Sequence, residues 1–175
     1  MIKEELLNKL KYFIKDISFQ QVKLVKVEFE ASENLSGIYQ NGMINRQSSF
    51  NLIQTYMGNT SDDKENEIPI ASGAYTFDLI DKIIGGNEVK KLKKSNLSKE
   101  LEIKYKLNYQ LILFLKNENI LINESDDIKK EVLRAFYEHS GKNVIFPYIR
   151  HMIDTLSREA GFLTPSIPPI IFKSS

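Results

Sequence analysis

The side chains that usually carry chemistry are few in this chain, and their spacing is unpromising for catalysis. There are two histidines, His139 and His151, and no cysteine. Neither histidine stands in a His-Glu-x-x-His pattern and no third completes a set, so a zinc site is not expected. Without cysteine there is no thiol nucleophile, no thiolate ligand and no disulfide framework. Asp126 with Asp127, and Glu28 with Glu30, pair carboxylates, the residue type that does general acid–base work. The first pair stands where a helix should start, on the positive end of its dipole, and the second on alternate positions of a strand, so capping and a wet strand face account for both. No Gly-x-x-x-x-Gly-Lys loop, Gly-x-Gly-x-x-Gly turn or Gly-x-Ser-x-Gly elbow occurs. The expectation is binding without catalysis, cofactor or metal.

Composition narrows the kind of binding. Of 175 residues, 42% are apolar and 27% charged, the mixture of one soluble globular domain over 1–175. Lys and Arg number 24 against 23 Asp and Glu, a net charge of +1, which excludes a strongly basic nucleic-acid binder on bulk charge. Lys90, Lys91, Lys93 and Lys94 form a basic run, but with no interleaved aromatics, no Arg and no recognisable module it reads as a solvated face. No run of 18 apolar residues exists to span a membrane. Met1-Ile2-Lys3-Glu4-Glu5 places acids before any apolar stretch, unlike a secretory signal, so a cytoplasmic location is expected.

Periodicity supplies the elements. Ile2, Leu6, Leu10, Phe13 and Ile14 recur at helical spacing and predict an amphipathic helix over about 2–14. Val25, Val27 and Phe29 alternate with Lys26, Glu28 and Glu30, a strand over 22–30 with one wet face; Ile17-Ser18-Phe19 joins it or links to it. Residues 33–48 are rich in Asn, Ser and Gly, with a turn signal at Asn41-Gly42. A second strand is expected over 49–57, with Phe50, Leu52, Gln54 and Tyr56 on one side. Phe77, Ile80 and Ile84 share a helical face, so 75–84 reads as a short helix stopped by Gly85-Gly86. From Leu101 to Leu115 every second residue is apolar or aromatic, while the others begin polar and turn apolar at Ile112 and Phe114. One face of this strand is core throughout, and the other passes from wet to dry, covered there by a helix or open as an apolar groove.

Two helices should follow. Ser125-Asp126-Asp127 is a helix start, Ile128, Val132, Leu133 and Phe136 its stripe, and Ser140-Gly141 its end. The next begins near Asn143 with Ile145, Ile149, Met152, Ile153, Leu156 and Ala160 inward, Pro147 tolerated within the first turn and Gly161 as terminator. Pro165, Pro168 and Pro169 then force an extended, apolar tail through Ile170, Ile171 and Phe172.

The motif Phe146-Pro147-Tyr148-x-Arg150 at a helix start, with the Pro-rich tail Leu163–Phe172, resembles the end of the SecB family of cytoplasmic chaperones that hold unfolded proteins. Strand 101–115 and the acidic link Glu124–Asp127 sit where that family's last strand precedes its helices, and Lys15–Phe19 is similar to a segment near its N-terminus. A helix before the first strand resembles the SecB-like chaperones attached to toxin–antitoxin systems. The resemblance spans 101–172 and, more weakly, 15–57; 58–100 looks like an insertion. It implies an α+β fold: a four-stranded antiparallel sheet with an N-terminal helix and two C-terminal helices, assembled as a dimer of dimers. The fourth strand is expected from a split of 17–31 or from 36–47.

The implied function is ATP-independent holding of unfolded or export-bound polypeptide, or of an antitoxin. Candidate client-binding residues are Tyr109, Leu111, Ile112, Leu113 and Phe114, with Ile2, Leu6, Leu10 and Phe13 as groove walls and core packing as the competing role of each. Phe146, Pro147, Tyr148 and Arg150 are assigned mainly to structure, with Arg150 bonding nearby carbonyls or a carboxylate. Export chaperones of the family meet the motor SecA through an acidic sheet face. Here Glu102, Lys104 and Lys106 share that face, which removes the complementary charge. The alternatives are an adaptor for one folded partner and nucleic-acid binding through Lys90–Lys94.

Overall fold

The computed structural model describes residues 3–31, 43–60, 67–84, 101–116 and 121–161. Helix α1 (Lys3–Asp16) runs straight into β1 (Ile17–Ala31), and β2 (Met43–Asn59), β3 (Pro69–Ile84) and β4 (Leu101–Leu115) follow. A helical C-terminal stretch comprises α2 (Asp126–Phe136), a π-helical turn (Tyr137–Gly141) and α3 (Lys142–Glu159). The strands form one antiparallel sheet in the order β1-β4-β3-β2. The expected α+β architecture is thus present, with Ile17-Ser18-Phe19 inside β1. No described helix is long and apolar enough to cross a membrane.

The core lies between one face of the sheet and the helices. From β4 it takes Ile103, Tyr105, Leu107, Tyr109, Leu111, Leu113 and Leu115, all buried, the odd positions of a period-two strand. Phe13 of α1, Val132, Leu133 and Phe136 of α2, and Ile145, Ile149 and Ile153 of α3 close over them. Strand β3 passes beneath the π-helical turn so closely that a Cβ on Gly73 would collide with the Tyr137 ring; only glycine permits that approach. The Tyr75 hydroxyl donates to the Tyr137 carbonyl at 2.7 Å, tying the turn to the sheet.

Several expectations need correction. Residues 75–84 are not a helix: Pro69–Ile84 is the inner strand β3, so the fourth strand comes from within the stretch read as an insertion, not from 17–31 or 36–47. The helix-like spacing of Phe77, Ile80 and Ile84 misled because the buried set at period two includes Ala71, Gly73 and Asp81, which interrupt the apolar pattern. A bulge between Leu52 and Gln54 reverses the phase of β2. Phe50 and Leu52 face the core, but beyond the bulge Thr55 and Met57 do, and Tyr56 turns outward. Ser125 makes no side-chain cap bond; its carbonyl accepts from Lys129 instead. Ser140-Gly141 does not end a helix either, since Gly141 is helical at φ −62° and the chain continues through it into α3. The stop comes at Gly161, φ +82°, where the left-handed backbone suits glycine.

Pro147 lies inside α3 rather than in its first turn. It has no N–H to give the carbonyl of Asn143 and its side chain is exposed, so it costs helix stability without contributing packing. Pro147→Ala should therefore raise stability by about 1–3 kcal/mol, measured as a higher urea midpoint at unchanged slope. Ile2, the turn signal at Asn41-Gly42, the run Lys90–Lys94 and the tail Leu163–Phe172 lie outside the described residues.

Candidate functional site

The expected client-binding residues divide between the two faces of the sheet. Tyr109, Leu111 and Leu113 point to the helices and are buried, as is Phe13 of α1; in this fold they belong to the core. Burial pushes the Tyr109 phenol up to about 12, and its hydroxyl donates to the Tyr148 carbonyl at 3.1 Å. Leu6 and Leu10 are half-buried on the inner side of α1, while Leu7, Tyr12 and Ile14 are exposed. Ile112 and Phe114 project from the opposite face and are only half-buried. The covering helix expected over this dry end is not found among the described residues; the described helices pack on the other face.

That open face has an apolar half and a charged half. Register places Phe19 of β1, Phe114 of β4 and Ile70 of β3 side by side, with the rings of Phe19 and Phe114 5.6 Å apart. Tyr56 follows on β2, its ring lying over Gly58. Two bulges extend the apolar set. The irregularity between Leu24 and Lys26 brings Val25 outward on β1, and the one between Leu52 and Gln54 brings Ile53 outward on β2. Phe19 is 61% exposed, Val25 60%, Ile53 62% and Tyr56 57%. Val25 and Ile53 border a shallow depression of about 420 Å³ floored by Thr76, Asp78, Lys106 and Asn108, where Thr76 Oγ1 donates to Asn108 Oδ1 at 2.9 Å.

The charged half is internally compensated. Glu28 pairs in register with Lys106 and Lys106 with Asp78; Glu30 pairs with Lys104 and Glu102 with Lys82. Glu102 meets Lys104 at 2.9 Å and Lys82 at 3.3 Å; hydrogen bonds from these ammonium groups hold its carboxyl below the usual range. Lys26 does the same for Glu28. Such exposed pairs add little stability, but they leave no field of one sign to attract a charged partner.

Phe146, Pro147, Tyr148 and Arg150 all lie on α3. Phe146 is buried and Tyr148 exposed, and the Arg150 side chain, contrary to expectation, makes no hydrogen bond or ion pair among the described residues. His139 and His151 are exposed on the helices, and no group of three His, Asp or Glu able to hold a metal occurs among the described residues. Sequence reasoning missed Phe19, Val25, Ile53, Tyr56 and Ile70. Phe19 and Tyr56 were findable as lone aromatics in polar stretches; Val25 and Ile53 were not, because a bulge leaves no mark in the alternation.

No family model and no curated protein sequence matches the chain. Among solved structures it is similar to a SecB-like chaperone of Mycobacterium tuberculosis in complex with a ChAD peptide from the HigA1 antitoxin. The TM-score is 0.55 at 10% identity, over 93% of this chain and 96% of that one. At that identity the likeness is one of fold: the chain has a SecB-like fold.

Proposed function

We propose that this protein is an ATP-independent chaperone that binds unfolded or export-bound polypeptide, or an antitoxin, through the open face of its sheet. The observation that carries the reading is the apolar half of that face, Phe19, Ile70, Ile112, Phe114 and Tyr56 with Val25 and Ile53, left outside a SecB-like fold. An apolar patch of this extent is costly in water unless something uses it. A client offering aromatic and branched side chains would bury area there at roughly 25 cal/mol per Å². Ordering a disordered client opposes binding, so useful affinity needs several patches at once. A dimer of dimers would supply them through effective concentration. The compensated charge of the other half gives a charged docking partner such as SecA little to select, which favours an antitoxin or a narrow client set.

The test is suppression of aggregation of an unfolded model protein without ATP, with sedimentation reporting assembly and client binding together. Failure to suppress at a several-fold molar excess would refute the reading. A single stoichiometric complex with a folded protein, and indifference to unfolded chains, would indicate an adaptor. Phe114→Asp places a carboxylate in the apolar patch, and client binding should weaken about tenfold or more, since burying an unpaired charge costs well over 1.4 kcal/mol. Circular dichroism should be unchanged, because Phe114 is not part of the core.

A further inference from the structure

The two outer strands of the sheet differ in kind. β1, 15 residues long, carries Lys23, Lys26, Glu28 and Glu30. β2, 17 residues long, carries one charged residue, Arg46, and no internal proline, and that guanidinium is bonded to Asp81. Charged side chains along an edge discourage an added strand, because a docking chain must strip their water; β2 lacks that protection. Strands commonly run to about 5–6 residues, so β2 presents an unusually long row of outward N–H and C=O groups. Among the described residues no strand pairs with its outer side. Its side chains on the open face include Ser49, Asn51, Gln54 and Tyr56, none of them charged.

We infer that the free edge of β2 takes an extended, uncharged segment of a client polypeptide as a fifth strand. The inference rests on the polypeptide-binding reading above and gives it a mode of recognition. Main-chain bonds supply affinity that is indifferent to client sequence, and alternate client side chains fall on the open face beside Ile53 and Tyr56. A charged segment would lose hydration and find no opposite charge on β2. The bulge divides the edge into 43–52 and 54–59. A short, pliable segment can pair with either stretch, whereas a second copy of β2 would have to accommodate two bulges in one ladder. The occupant is therefore foreign chain rather than another subunit.

Amide hydrogen exchange on the full chain tests this. The probe is a peptide of about ten residues, alternating valine and threonine and carrying a polyethylene glycol tag for solubility. The expected result is slowed exchange over 43–59 and none over 17–31. A twin peptide N-methylated on both edges should bind at least about thirty-fold more weakly, since several ladder bonds are lost. Ser49→Lys with Asn51→Lys, both at exposed positions, should abolish the protection while the protein stays folded. Equal binding of the N-methylated peptide, protection on β1 instead, or protection of β2 that grows with protein concentration without peptide would each overturn the inference. If β2 is unprotected while aggregation is still suppressed, the edge fails and the chaperone reading stands; if neither occurs, both fall.

Discussion

Arg46→Met is expected to destabilise the protein by about 3 kcal/mol, a large fraction of the roughly 5–15 kcal/mol that holds a domain of this kind together. Arg46 on β2 and Asp81 on β3 are direct cross-strand partners. Two hydrogen bonds of 2.7 Å join Nε to Oδ1 and the terminal nitrogen to Oδ2. The Asp81 side chain is fully buried while that of Arg46 keeps 23% exposure, so removing the arginine takes both of these charge-assisted hydrogen bonds from a carboxylate in the core. The partial access of water on the arginine side sets the expectation at the low end for a broken buried pair. The neighbourhood is polar and closed: the Tyr105 hydroxyl and Ser157 Oγ lie 2.8 Å apart, Ser157 donates to the Ile153 carbonyl at 2.6 Å, and burial pushes the Tyr105 phenol up to about 12. Adding Asp81→Leu to Arg46→Met should recover most of the loss, because an apolar pair of similar volume needs no desolvation. Urea unfolding of the single and double variants measures this directly. A loss below about 0.5 kcal/mol for the single variant would mean that the pair behaves as a surface bridge.

That ion pair also marks where sequence patterning stopped being informative. Strand β4 was legible from end to end because every inward residue is large and apolar, so hydrophobic period and structural period coincide. β3 has the same period but presents Ala71, Gly73 and Asp81 inward, and of these Gly73 serves the Tyr137 ring and Asp81 serves Arg46 rather than generic burial. Tertiary partners chose them, and no local pattern encodes those partners. The helical stripes of α1, α2 and α3 were readable for the reason β4 was, except at Ile14 and Ala160, which were read as inward and are exposed. The candidate site was half legible: Ile112 and Phe114 stood out where a wet face turned dry, but Leu111 and Leu113 were grouped with them although successive strand residues point to opposite faces. The bulges at Val25 and Ile53 were invisible because each leaves apolar residues at plausible alternating positions on both of its sides. Their consequence is functional as well as geometric: both outward turns fall beside the Tyr75–Tyr109 register pair, so the two edge strands add a branched side chain to the open face at one level of the sheet.

Two phenylalanines should separate stability from binding. Phe13 is fully buried and meets Phe136 edge-on with centroids 5.4 Å apart, while the rest of α1 is held by half-buried Leu6 and Leu10 and by the bond from Lys9 to Glu124. Phe13→Ala should therefore cost about 3–5 kcal/mol, lowering the midpoint of thermal unfolding by roughly 6–20 °C. Leu7→Ala on the exposed side of the same helix should stay within about 0.5 kcal/mol. Because the Phe13 ring is sealed away from solvent, its loss should leave client affinity per folded molecule unchanged at temperatures well below the new midpoint. Phe114→Asp should do the reverse, sparing the midpoint and removing the affinity. Calorimetry and client binding measured on both variants give a crossed pattern if the open face is the binding surface. If Phe13→Ala weakens binding in fully folded protein, then α1 opens to admit clients and the site lies between that helix and the sheet.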